Sequence, residues 1–230
     1  MPAKGADYAT PKRHVFAHSM WRTGSTALAK CFLDNPGYLV FYEPFHEHCG
    51  TLRAIQKTSR DQEKLTTLMG HPDWRGGYFD SLKNIAPLTG KQLWELYDIT
   101  SAGSAVYNAA TRKSIAYINA CIRVAEAQNK KAYFGFCRSG LQQSAFLAQS
   151  EVDAFYLYRD PLAQFMSYNW PTNDYFAAAT LVQLMHSRSL WPMVREFMTI
   201  SWRERFRLTW QTPANKFESK LRKARRILAR

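Results

Sequence analysis

Five consecutive residues, Arg22-Thr23-Gly24-Ser25-Thr26, combine a permanently charged fork, three hydroxyls and one glycine. They follow a short apolar run, VFAH, and precede an Ala/Leu-rich segment of helical character, ALAK. A turn between a strand and a helix offers the free N–H groups and positive potential of the helix amino terminus, so its natural guest is an anion. In that setting Gly24 permits close backbone approach, Thr23, Ser25 and Thr26 supply hydroxyl donors, and Arg22 supplies a bidentate cation. The turn is not a Walker A loop, which requires a second glycine followed by lysine. Taken alone it also fits an ordinary helix start.

A second constellation lies in YLYRDPLAQFMSY, residues 156–168. Asp160 is a natural N-cap and Pro161 a natural first helical residue, which leaves Arg159 at the end of a strand and Ser167 on the following helix. Six steps from Pro161 raise Ser167 by about 9 Å along the helix axis, within reach of an arginine folded back from the strand end. Arg159 and Ser167 can then hold one phosphate beside the first anion site. Pairing of Arg159 with Asp160, with Ser167 a plain surface residue, is the alternative.

These residues need elements to hold them. The pattern predicts a strand at Val15 to His18, a helix from about Ser25 to Asp34 stopped by Asn35-Pro36-Gly37, and a strand at Tyr38 to Tyr42 stopped by Pro44. Ile115, Ile118, Ile122 and Ala125 recur at helical intervals across 114–129. A strand at Ala132 to Phe136, a helix in LQQSAFLAQ and a fully buried strand at Ala154 to Tyr158 follow. Alternating strands and helices imply a three-layer α/β fold with a central parallel sheet, and the chain turns helical after Ala177. Residues 50–104 mix short polar helical pieces with Gly and Pro, the texture of an insertion that shapes an acceptor site.

The composition, 46% hydrophobic and 21% charged over 230 residues, suits a single domain, 1–230. No apolar stretch matches a membrane span, and the polar first fourteen residues lack the core of a signal peptide, so a cytoplasmic protein is expected. Four cysteines without a Cys-x-x-Cys pair agree with a reducing compartment. Of the net charge of +13, the tail Lys216 to Arg230 carries +6 and the remainder +7. That spread does not single out nucleic acid, and no nucleic-acid motif appears. The basic helical tail, about 215–230, has Phe217, Leu221, Ala224 and Leu228 on one face; it docks on its own domain or meets an acidic partner or anionic lipid.

Together the two motifs resemble those of the sulfotransferases that use 3′-phosphoadenosine 5′-phosphosulfate (PAPS), most closely the carbohydrate-modifying branches. In that family the first strand-to-helix turn, R-x-G-[ST]-[ST], holds the 5′-phosphosulfate, and Arg22 to Thr26 match it in order. An arginine at a strand end, then [DN]-P and a serine eight positions after the arginine, hold the 3′-phosphate; Arg159, Asp160, Pro161 and Ser167 match. The likeness spans roughly 12–48 and 132–170. It implies a P-loop-like fold, PAPS as donor, 3′,5′-bisphosphoadenosine (PAP) as product, a hydroxyl or amine as acceptor with a glycan favoured, no metal and no nucleic acid. It also implies that Arg22 stabilises the departing phosphate, since a guanidinium cannot serve as a base.

The family's cytosolic members take the acceptor proton with a histidine at the end of a middle strand. Here FGFCRSG has Cys137 and Arg138 near that place, so Glu43, in FYEPFHEH, is the expected general base, as in several glycan sulfotransferases, with His46 in reserve. A strand-end glutamate paired to a nearby cation is the plain structural alternative. Arg138 can contact nucleotide or acceptor, or form a structural ion pair. The run His46-Glu47-His48-Cys49 looks like a metal cluster, but contiguous residues rarely converge on one ion and no second ligand set is visible. A nucleotide kinase or NTPase on a related fold lacks support without a Walker lysine or an acidic magnesium strand. An inactive nucleotide- or nucleic-acid-binding relative is the remaining alternative.

Overall fold

The computed structural model describes residues 13–60, 74, 76–98, 110–137, 139, 142–148 and 151–168, with a few isolated positions further on. Four strands, β1 (His14–Ser19), β2 (Tyr38–Tyr42), β3 (Lys131–Phe136) and β4 (Val152–Leu157), form one parallel sheet in the order β2-β3-β1-β4. The chain leaves β1 for β2 on one side and enters β4 on the other. All four carboxyl ends point the same way, and it is at such ends, where strand order reverses, that open α/β sheets hold ligands.

Helices cover the sheet from both sides. Helix α1 (Ser25–Leu33) lays Phe32 on Tyr133 of β3, with ring centroids 4.1 Å apart. On the opposite face α4 (Arg112–Ala127) brings Glu126 to His14, and Phe146 of α5 (Gln143–Leu147) meets Phe16 and Phe136. Alternate strand residues explain the division: Phe134 and Phe136 face one layer, Tyr133 and Gly135 the other. Phe16, Phe134, Phe136, Phe146 and Phe45 then stack into a buried aromatic file that ties β1 and β3 to the turn after β2. Thr111 begins α4 with a reciprocal cap to Ser114, which explains a start slightly ahead of the apolar periodicity.

Among the described residues between β2 and α4 are α2 (Leu52–Arg60), α3 (Leu93–Leu96), two 3-10 turns (Glu47–Gly50 and Asp80–Lys83) and a bridge, Ile85 to Gln92. Helix α6 (Pro161–Tyr168) follows β4. All four cysteines are free thiols, three of them buried. Among the described residues no helix is long and apolar enough to cross a membrane. Of the basic tail only 222–224 and 226 are described; they are helical, with Ala224 buried and Arg222 and Arg226 exposed.

One expectation fails. The apolar run 154–158 reads as a fully buried strand, yet β4 pairs only with β1, and Phe155 and Tyr156, on opposite faces, are 36% and 44% exposed. A short apolar run cannot reveal its place in the strand order. Here it is outermost among the described strands, with four of its six residues exposed.

His18 is the least expected member of the core. It is fully buried, stacks on Phe136 at 4.7 Å, and neither ring nitrogen has a hydrogen-bond partner among the described residues. Burial lowers its pKa from 6.5 to about 4, and burial also lowers that of His14. Between those two pH values the unfolded chain binds the proton and the native protein does not, so acid opposes folding. For His18 that gap is worth about 3 kcal/mol, present above pH 6.5 and lost as the pH falls towards 4. Urea titrations across this window are expected to show a much smaller acid loss for His18→Phe than for the parent. An unchanged pH dependence would contradict the assignment.

Candidate active site

The first motif forms the turn that the sequence suggests, with one unexpected feature. Gly24 stands at the N-cap of α1 in a left-handed conformation (φ 95°), and no side chain caps the helix. A Cβ there would meet nothing within 4 Å, so backbone freedom rather than crowding calls for glycine. As at any helix start, the first N–H groups of α1 have no carbonyl partner inside the helix. Arg22 also has a left-handed backbone (φ 65°), although it is not glycine. Such strain costs about 1–3 kcal/mol and persists only where surrounding contacts enforce it.

Helix α6 and Arg159, two residues before it, provide those contacts. Gln164 donates through Nε2 to the carbonyl of Trp21 at 2.8 Å, and Arg159 donates to the carbonyl of Arg22 at 3.3 Å. Arg22 in turn donates through Nε to Ser167 Oγ at 2.9 Å and to the Ser167 carbonyl at 3.2 Å. Gln164 and Ser167, three apart, share the helix face that meets the turn. Asp160 accepts from the N–H of Ala163 at 2.8 Å, the N-cap read from the sequence. The two motifs, 145 residues apart, therefore form one constellation. Its electrostatics are one-sided: burial first, then the nearby Arg159, lower the Arg22 pKa, although a guanidinium so placed stays charged.

The loop hydroxyls turn towards the protein. Thr23 donates to the Met20 carbonyl at 2.8 Å. Ser25 and Thr26, both buried, share the phenol of Tyr42 at 3.0 and 2.8 Å, and Ser25 also contacts the Cys137 thiol at 3.3 Å. An anion over the turn is therefore left to the backbone N–H groups of α1, to Arg22 and to Arg159. Tyr42 itself lies against Trp74 and Tyr78 with centroids 5.2 Å away, and Tyr78 hydrogen-bonds Thr26. Burial holds both phenols above their usual range, so they remain neutral donors. Nothing in the local sequence marks Tyr42 as the floor of the turn. The usable signal is Gly135: a Cβ there would lie 2.6 Å from the Tyr42 ring, so a glycine inside β3 lets that ring cross the strand.

Glu43 ends β2. Its N–H continues the ladder to the Gly135 carbonyl at 2.8 Å, but its φ of 46° turns the chain sharply into the Pro44-Phe45 bend. Among the described residues only three non-glycines have positive φ: Arg22, Glu43 and Asn129, which follows the end of α4. His46 Nε2 lies 3.9 Å from Glu43 Oε2, and His46 Nδ1 accepts from the His48 N–H at 3.2 Å. That second contact places the imidazole proton on Nε2, facing the carboxylate. Cys137 is no base: burial first, then Glu43, pushes its thiol up to about 12. Arg138 lies outside the described residues.

Comparison with known protein families, with curated proteins and with solved structures finds no match.

The dependence of the turn on Tyr42 is testable. Gly135→Ala is expected to destabilise the protein by about 1–3 kcal/mol in urea unfolding, because the added methyl meets the Tyr42 ring. In a Tyr42→Leu background the same change should cost well under half as much. Equal costs in both backgrounds would show that the ring is not what the methyl strikes.

Proposed function

We propose that the protein is a PAPS-dependent sulfotransferase on a P-loop-like fold, which moves the sulfuryl group to a hydroxyl of an acceptor, most plausibly a carbohydrate. The observation that carries the reading is the junction of Arg22 with Ser167 and Arg159 beside the uncapped amino terminus of α1. Two guanidinium side chains, a helix terminus and a serine hydroxyl gather just beyond the carboxyl ends of β1 and β4. A ligand with two separate anionic groups matches that arrangement better than one with a single phosphate.

In this reading the α1 N–H groups and Arg22 hold the 5′-phosphosulfate, while Arg159 and Ser167 hold the 3′-phosphate. Ser167 accepts from Arg22, which leaves its own hydroxyl hydrogen to donate. The acceptor oxygen attacks sulfur in line, the bond from sulfur to the 5′-phosphate oxygen breaks, and its electron pair departs on PAP. Arg22 stabilises the charge that develops on the leaving oxygen. Glu43 takes the acceptor proton, with the Nε2–H of His46 facing its carboxylate. No step asks for a metal. His46 thus supports the base rather than replacing it.

The test is transfer of label from PAPS to a panel of hydroxylated glycans. Glu43→Gln should lower turnover about 10²- to 10⁴-fold and leave PAP affinity unchanged. Arg22→Ala should weaken both, because Arg22 meets the nucleotide before and during transfer. Transfer by Glu43→Gln at the parental rate would remove Glu43 from this role, and His46→Gln becomes the next variant to measure.

A further inference from the structure

Glu43 and His46 share a small pocket with Ser139, which follows β3 by three residues, and the apolar walls are Phe45 and Phe136. Its volume of about 10 Å³ suits one hydroxyl-sized group and little more. Ser139 is 1% exposed, and its Oγ has no hydrogen-bond partner among the described residues. A buried hydroxyl without a partner weakens a fold, so its persistence beside a carboxylate points to a ligand that completes it.

A serine, a histidine and a glutamate in one pocket invite comparison with a hydrolytic triad, but the ring excludes it. Nδ1 of His46 accepts from the backbone of His48 and Nε2 faces Glu43, so neither nitrogen is left to take a proton from Ser139. Ser139 is a hydrogen-bonding group and not a nucleophile.

We infer that Ser139 is an acceptor-binding residue: its O–H donates to the acceptor hydroxyl whose proton passes to Glu43. This inference rests on the sulfotransferase reading above. The roles divide without conflict. An acceptor hydroxyl has one hydrogen, given to Glu43, and two lone pairs, one to accept from Ser139 and one to attack sulfur. Donation by Ser139 thereby fixes which lone pair faces the donor. The narrow pocket admits a single hydroxyl on a slender carbon and leaves the bulk of the acceptor outside.

The experiment uses the full chain, labelled PAPS and glycerol as the probe acceptor, with sulfated glycerol and free sulfate counted separately. PAP affinity is measured in parallel by calorimetry. Ser139→Ala is expected to raise the KM for glycerol about three- to tenfold, with kcat and PAP affinity within about twofold of the parent. Ser139→Thr, which keeps the hydroxyl, should recover most of the loss. A parental KM in Ser139→Ala, or a loss of PAP affinity equal to the loss in transfer, overturns the inference and leaves the sulfotransferase reading standing. So does a parent protein that binds PAP yet transfers to neither glycerol nor water. A parent that binds no PAP overturns both.

Discussion

The hydrogen bond from Arg22 to Ser167 is the contact on which the site depends. It joins a turn at the start of the chain to a helix 145 residues later, and it is drawn tight by two neighbours, Gln164 on Trp21 and Arg159 on the Arg22 carbonyl. These three bonds over-determine a backbone conformation that arginine does not favour. They also bring two guanidinium groups near one another at the positive end of α1. The left-handed backbone at Arg22 and the pair of guanidinium groups each raise the free energy of the site, and an anion bound there would offset the repulsion between the two cations.

The same logic extends to Glu43. Arg22 and Glu43 both stand just beyond strand ends, both adopt left-handed backbone, and both are held by the β3 side of the sheet or by α6. Beneath them Tyr42 ties β2 to the first turn of α1 through Ser25 and Thr26, and Gly135 makes room for its ring. The turn that carries Arg22 and the strand end that carries Glu43 thus share Tyr42 as a common floor, which fits the roles proposed for them.

Much of this was legible in the chain. Breakers such as Asn35-Pro36-Gly37 and Pro44 delimit α1 and β2, and the Asp160-Pro161 pair marks the start of α6, because each acts through local backbone chemistry. Strand order is not local. The apolar run of β4 carries no sign that it lies outermost among the described strands, and Tyr42 looks like any aromatic in a buried strand until Gly135 is read as its counterpart across the sheet. The hydroxyls of Thr23, Ser25 and Thr26 suggest donors to a ligand, yet a hydroxyl that can reach a buried phenol or a carbonyl is taken up by the protein. The left-handed backbone at Arg22 and Glu43 is invisible without coordinates, since neither residue type favours it.

In the proposed reading, two anion sites beside the amino terminus of α1 are spanned by a single nucleotide. Calorimetric titration with PAP, 5′-AMP and ATP, with and without magnesium, tests this directly. PAP is expected to bind at least about tenfold more tightly than 5′-AMP, since a charge-assisted contact to a second phosphate contributes about 1.5–3 kcal/mol, and magnesium is expected to change nothing. Equal affinity for PAP and 5′-AMP, or ATP binding that requires magnesium, would contradict it.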